Sequence, residues 1–112
     1  MNIVSFNVRG CCSSLKRRRI SQILQRGSAN ICRIQETKII KMEAGIAYSL
    51  WRNNDMDWTT QNSSGRSGGI ITMWNTTKIT ACSSFCGKGF LGLHIVWNNQ
   101  SLIVINVYAP CG

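Results

Sequence analysis

The sequence predicts a single α/β (α+β) domain, and three observations carry that expectation. An apolar, β-branched run at residues 2–8 is followed by a stretch of helical period and then by a second apolar run at residues 30–37. From residue 70 onward, apolar runs recur about every 10 residues with turn residues between them, the rhythm of an antiparallel meander. The chain has 112 residues, and a typical domain has about 100 to 150. Strand, helix, strand and meander is the pattern of helices packed on sheets.

The first strand rests on Ile3, Val4, Phe6 and Val8, and Arg9-Gly10 ends it. Ser13 or Ser14 caps a helix running to Arg26, with Gly27 as its stop. Leu15, Ile20, Ile23 and Leu24 form its apolar face. Lys16-Arg17-Arg18-Arg19 crowds the first turn, where the helix dipole disfavours cations. Helix stability therefore does not explain the run. Contact with phosphate, a nuclear address and a solvated face remain open readings.

The second strand contains Ile31-Cys32-Arg33-Ile34-Gln35-Glu36. Residues 39–50 read as a weak helix or irregular chain, and the polar stretch 53–69 as a loop. Strands follow at residues 70–74, 78–85, 90–97 and 102–108. The last is almost unbroken apolar, as expected of a strand buried on both faces. One good helix cannot cover both sides of it. The isolated chain is accordingly expected to be marginally stable or to aggregate.

Charge gives the first functional hint. Lys and Arg number 13 against 4 Asp and Glu, a net charge of +9. The acids, Glu36, Glu43, Asp55 and Asp57, all fall within residues 36–57. So basic a chain attracts polyanions, nucleic acid foremost. Hydrophobic residues make up 44% and mean hydropathy is −0.04, which excludes a long disordered segment. No run of roughly 18 apolar residues exists, so no membrane helix is expected. Nothing resembles a secretory leader at the N-terminus, so a nuclear or cytoplasmic, non-secreted protein is expected.

In that setting the six cysteines are expected as free thiols, and the Asn62, Asn75 and Asn99 sequons carry no meaning. Their spacing, with one histidine, does not suit zinc. His94, in Leu93-His94-Ile95, reads as a core or edge histidine. Trp51, Trp58 and Trp74 read as core, with base stacking in a basic groove the other use of such residues.

Three polar residues close strands. Asn7 closes the first, Glu36 the second and Tyr108 the last. Ligand sites in open sheets form beyond strand ends. A carboxylate beside amide oxygens suits a hard cation such as Mg²⁺.

Four stretches carry a family resemblance. They are Asn2-Ile-Val-Ser-Phe-Asn7-Val-Arg-Gly10, Ile34-Gln-Glu36-Thr-Lys38, Ser64-Gly-Arg-Ser-Gly-Gly69-Ile70 with Trp74, and Asn106-Val-Tyr108-Ala-Pro110. In this order they resemble the endonuclease/exonuclease/phosphatase (DNase I-like) superfamily. Within it they are most similar to the endonuclease domain of LINE-type (non-LTR) retrotransposons of plants.

The resemblance implies a four-layer sandwich of two central sheets flanked by helices. It implies that residues 1–112 are the N-terminal portion of one such domain, incomplete at the C-terminus. The implied reaction is Mg²⁺-dependent phosphodiester hydrolysis that nicks DNA, with Mn²⁺ as a substitute. A reverse transcriptase region is expected in cis in full-length relatives. Glu36 would be a metal ligand. Asn7 would hold the metal network and the scissile phosphate, and Tyr108 would bond the phosphate or orient the site.

The family's Gly-Asp-x-Asn and Ser-Asp-His motifs do not occur here, so the chain alone is expected to be inactive. Arg33 stands where the family places a small or apolar residue; it either faces out or marks a copy no longer under selection. Asn30 replaces a favoured Asp without touching the chemistry. Other readings are a small basic nucleic-acid-binding module, a repair-type abasic-site endonuclease and a phosphoinositide phosphatase.

Overall fold

A computed structural model describes residues 1–10, 13–63 and 68–108. Its first three elements form one unit: β1 (Ile3–Asn7), α1 (Ser14–Arg26) and β2 (Ile31–Gln35). β1 and β2 pair in parallel from Ile3↔Ile31 to Asn7↔Gln35, and α1 is the crossover. Ser13 caps α1 by accepting a hydrogen bond from the Lys16 N–H at 3.1 Å. The Gly27 N–H returns to the Ile23 carbonyl at 2.9 Å and closes the helix.

The buried face of α1 is narrower than the sequence implied. Ile20, Ser21 and Leu24 are buried, whereas Leu15 and Ile23 are exposed. Ile20 and Leu24 are one turn apart and meet the sheet together; Leu15 and Ile23 lie off that line. The region read as weak helix or irregular chain contains α2 (Ala44–Trp51), which buries Ala47, Leu50 and Trp51.

The polar stretch 53–69 is not wholly loop. It contains β3 (Met56–Gln61), which pairs antiparallel with β4 (Ile70–Asn75) from Met56↔Asn75 to Gln61↔Ile70. β4 also pairs antiparallel with β2, giving the sheet order β1-β2-β4-β3. β3 is an edge strand and needs few apolar side chains: Met56 is buried, and Trp58 packs half-buried against the helix-side core. Asp57, Thr59, Thr60 and Gln61 hid it in the sequence.

β5 (Ile79–Gly87), β6 (Phe90–Trp97) and β7 (Gln100–Val107) form a second, antiparallel sheet in that order. The meander therefore has these three strands, and β4 belongs to the other sheet. Asn98 and Asn99 link β6 to β7 with φ of 51° and 62°, the two left-handed residues of a type I′ hairpin.

The layers are helices, four-stranded sheet, three-stranded sheet. Alternation along the strands divides the core. Cys32, Ile34, Ile71 and Met73 face α1 and α2, while Ile31 and Trp74 face the second sheet at Ile79, Leu93, Ile95 and Val104. The strand buried on both faces is β4, where Ile70 to Trp74 are all buried. The expectation that the last strand holds that place is corrected. β7 is an edge strand whose outer face is bare, with Ile103 64% and Val107 57% exposed. No helix of the described residues is long and apolar enough to cross a membrane.

Ile34→Ala, at a fully buried position, should lower unfolding free energy by about 2–5 kcal/mol. Ile103→Ala should change it by less than about 0.5 kcal/mol. Urea denaturation of both variants checks this; equal losses would place β7 inside the core and contradict the layering.

Candidate active site

Topology brings the three strand-closing residues to one end of the sandwich. Asn7 and Gln35 are register partners on β1 and β2, and Glu36 follows at once. The pairing runs past the strands, with the Val8 N–H on the Gln35 carbonyl at 3.1 Å and the Gly10 N–H on the Glu36 carbonyl at 2.7 Å. On the other flank, the Thr37 and Lys38 N–H groups donate to the Gly69 and Gly68 carbonyls at 3.0 and 2.9 Å. Tyr108 ends β7 at the same place: its N–H donates to the Gly89 carbonyl at 2.8 Å. Its ring lies 3.9 Å from where a Cβ on Gly68 would stand.

The turn carrying Glu36 is strained. Glu36 and Lys38 have φ of 59° and 57°, left-handed values that cost a residue with a Cβ about 1–2 kcal/mol. Thr37, buried between them, fixes the turn and accepts the Ile39 N–H at 3.3 Å. Gly69 has φ of 90° and lies so close that any Cβ there would collide with Thr37 Oγ1. The Glu36 side chain is 22% exposed. Lys38 Nζ is 3.9 Å from its Oε1, a loose pair that leaves the carboxylate open to another cation. Lys16 Nζ donates to the Val8 and Gly10 carbonyls at 2.9 and 3.0 Å, stapling the first turn of α1 to this end.

Glu36 supplies one carboxylate at this end, and Mg²⁺ is held by one or two carboxylates with water and phosphate completing its shell. Among the described residues no three His, Cys, Asp or Glu side chains group to form an all-protein cage.

The residues that align these ends, Asn106 and Gln35, lie in the quoted motifs but were given no role from sequence. Asn106 is 1% exposed. Its Oδ1 accepts from Gln35 Nε2 at 2.8 Å, and its Nδ2 donates to the Ile71 carbonyl at 2.9 Å and Thr72 Oγ1 at 3.2 Å. Gln35 Nε2 also donates to Ser5 Oγ at 3.1 Å. The legible signal was a single amide inside the apolar run of residues 102–107, and a threonine inside the run 70–74.

Of the two expectations for Arg33, the one that it faces out is corrected. It lies half-buried in the seam between the sheets and its Nη1 donates to the Ile105 carbonyl at 2.9 Å. That carbonyl is available because β7 is an edge. His94 is neither core nor edge. It lies half-buried in mid-β6, the central strand of its sheet, with Nε2 2.5 Å from Ser101 Oγ, and takes no part in the strand-end cluster. Trp51 and Trp74 are buried in the two cores. Among the described residues Cys32, Cys82 and Cys86 are thiols outside any disulfide; Cys11, Cys12 and Cys111 lie outside the described residues, as do Ser64 to Ser67, Ala109 and Pro110 of the family motifs.

Asn106→Ala should destabilise the fold by about 1–3 kcal/mol, because Gln35 and Thr72 lose buried partners. Ser5→Ala, at the exposed end of the same chain of bonds, should cost less than about 1 kcal/mol. Denaturant titration separates the two; similar values would mean that Asn106 does not anchor the seam.

No protein-family profile matches the chain, and no curated protein matches it. Solved structures do. AP endonuclease LMAP from Leishmania major superposes with a TM-score of 0.70 at 14% identity, over 96% of this chain and 40% of that one. D. rerio TDP2 complexed with a single-strand DNA product gives 0.66 at 16% identity, over 92% and 43%. The human Nocturnin catalytic domain with bound sulfate gives 0.59 at 8% identity, over 91% and 46%. These neighbours are DNase I-like endonuclease/exonuclease/phosphatase proteins, and the chain shares their fold over somewhat less than half of their length.

Proposed function

We propose, from the DNase I-like fold as premise, that this chain is the N-terminal part of a Mg²⁺-dependent endonuclease domain of retrotransposon type. The observation that carries the proposal is the Glu36 carboxylate, presented by a strained turn beside Asn7 at the end of two parallel strands. The +9 charge supports DNA as the polyanion drawn to it.

On this reading Glu36 holds Mg²⁺, or Mn²⁺ in its place, and Asn7 supplies an amide oxygen to the metal network or its N–H to the scissile phosphate. The bound ion would neutralise charge that gathers on the phosphate oxygens in the transition state. The Tyr108 hydroxyl donates to a phosphate oxygen, and the fixed turn at residues 36–38 holds the carboxylate in place before substrate arrives. Arg9 and Lys38 add positive field around the same end.

Among the described residues no three His, Cys, Asp or Glu side chains group there, and on this reading the general base for water comes from outside these residues. The chain alone is inactive on this reading, and a longer protein supplies the base and carries reverse transcriptase in cis. Its place of action is the nucleus or cytoplasm.

Plasmid nicking by a full-length, active protein tests the proposal. Glu36→Ala should lower the rate about 100-fold or more. Tyr108→Phe should cost about tenfold, the value of one lost hydrogen bond. Asp55→Ala, at an exposed acid away from the strand ends, should leave the rate unchanged. Equal rates for Glu36→Ala and Asp55→Ala would refute the assignment. DNA binding that depends on salt and ignores Mg²⁺, with no nicking by the full-length protein, would favour the non-catalytic basic module.

A further inference from the structure

The basic run of α1 is divided by the fold. Lys16 turns back to the Val8 and Gly10 carbonyls, whereas Arg17 and Arg18 turn towards α2. Ser14, Arg17 and Arg18 are spaced i, i+3 and i+4, which puts them on one face of α1. Ser49 and Arg52 are spaced i and i+3 at the end of α2. Packing of the two helices joins these faces around a cavity of about 210 Å³. Its lining is Ser14, Arg17, Arg18, Ser49 and Arg52: guanidinium groups and hydroxyls, with no acidic residue.

Guanidinium groups do not lose their protons at accessible pH. The exposed Arg18 and Arg52, with no acidic residue in the lining, raise the positive potential at the cavity and favour an anion there. Two further features weigh against a purely structural role. Arg17 and Arg18 stand near the start of α1, where the dipole disfavours cations. Arg52 holds φ of 66°, a left-handed value that glycine would adopt without strain. Planar guanidiniums with several N–H donors match the oxygens of a phosphate in bidentate fashion.

We infer that this cavity between α1 and α2 binds a backbone phosphate of the nucleic acid, as an anchor separate from the strand-end site. The Lys16 staple fixes its position. Ser14 and Arg18 put one rim of the cavity in the first turns of α1, near the strand ends, and Arg52, which also meets Ser28, Ala29 and Asn75, carries it along the helices towards the opposite end of the sandwich. A polyanion that reaches the strand ends can lay another of its phosphates in the cavity. The inference rests on the proposal that the partner is nucleic acid.

The test is binding of a short fluorescein-labelled DNA duplex by the intact chain in EDTA, by anisotropy, across a range of salt. For the double variant Arg18→Gln/Arg52→Gln, the slope of log K against log salt should fall in magnitude by about 0.9, the value of one lost phosphate contact. Arg26→Gln/Lys78→Gln, which removes the same charge elsewhere, should change the slope by less than half as much. Arg18→Lys/Arg52→Lys should restore most of it, which separates lost charge from lost folding. A wild-type slope in the glutamine double variant would overturn the inference while leaving DNA binding intact. Absence of DNA binding by the wild-type chain would instead overturn the nucleic-acid reading, and this anchor with it. Inorganic phosphate supplies a second arm, read as amide shifts at Ser14 and Ser49. Shifts abolished in the variant, with DNA affinity and slope unchanged, would mean that the cavity takes only the free ion, and would overturn the backbone anchor.

Discussion

One buried amide joins the two sheets at the end where the candidate chemistry lies. Asn106 satisfies its oxygen with Gln35 of β2 and its nitrogen with the Ile71 carbonyl and Thr72 of β4. Arg33 and Gln61 add single side-chain bonds to the Ile105 and Gly87 carbonyls, and the apolar part of the seam is held by Ile31, Trp74, Ile79, Leu93 and Ile95. Apolar contact tolerates sliding, because it is not directional. The amide does not, since any slip leaves several buried polar groups unpaired. Asn106 therefore fixes the register of β7 over β2 and β4. Tyr108, two residues on, is thereby brought to the same end as Asn7 and Glu36.

The second constraint is the turn after β2. Two non-glycine residues, Glu36 and Lys38, hold left-handed backbone on either side of a buried threonine. Gly10 and Gly69 close on it from both sides through main-chain hydrogen bonds. Surrounding structure that over-determines a strained turn is typical of sites where a side chain must be presented in one direction. Lys16 ties the first turn of α1 to the same end.

The sequence made part of this visible. β1, α1 and β2 were legible because their apolar periodicity and caps agree with their packing: Ser13 caps α1 and Ile20 and Leu24 bury. The hairpins of the second sheet were legible from their turn residues. β3 was not, because an edge strand that buries one methionine leaves no apolar alternation to read. β7 was misread because Ile103 and Val107 look like core residues, yet nothing among the described residues covers them. Arg33 was a puzzle in sequence because the acceptor that it meets, the Ile105 carbonyl, is 72 residues away and is a backbone atom. The strand-end positions of Asn7, Glu36 and Tyr108 were legible; the amide that aligns them was hidden inside an apolar run.

The account stands or falls on whether Glu36 and Asn7 form a hard-cation site. Titrating the isolated chain with Mn²⁺ and recording amide NMR signals reads this without any catalysis. The account predicts line broadening centred on Asn7, Glu36 and Thr37, extending to Gly68, Gly69 and Tyr108, competed by Mg²⁺ and lost in Glu36→Ala. Broadening centred on Asp55 and Asp57, or unchanged by Glu36→Ala, would contradict it.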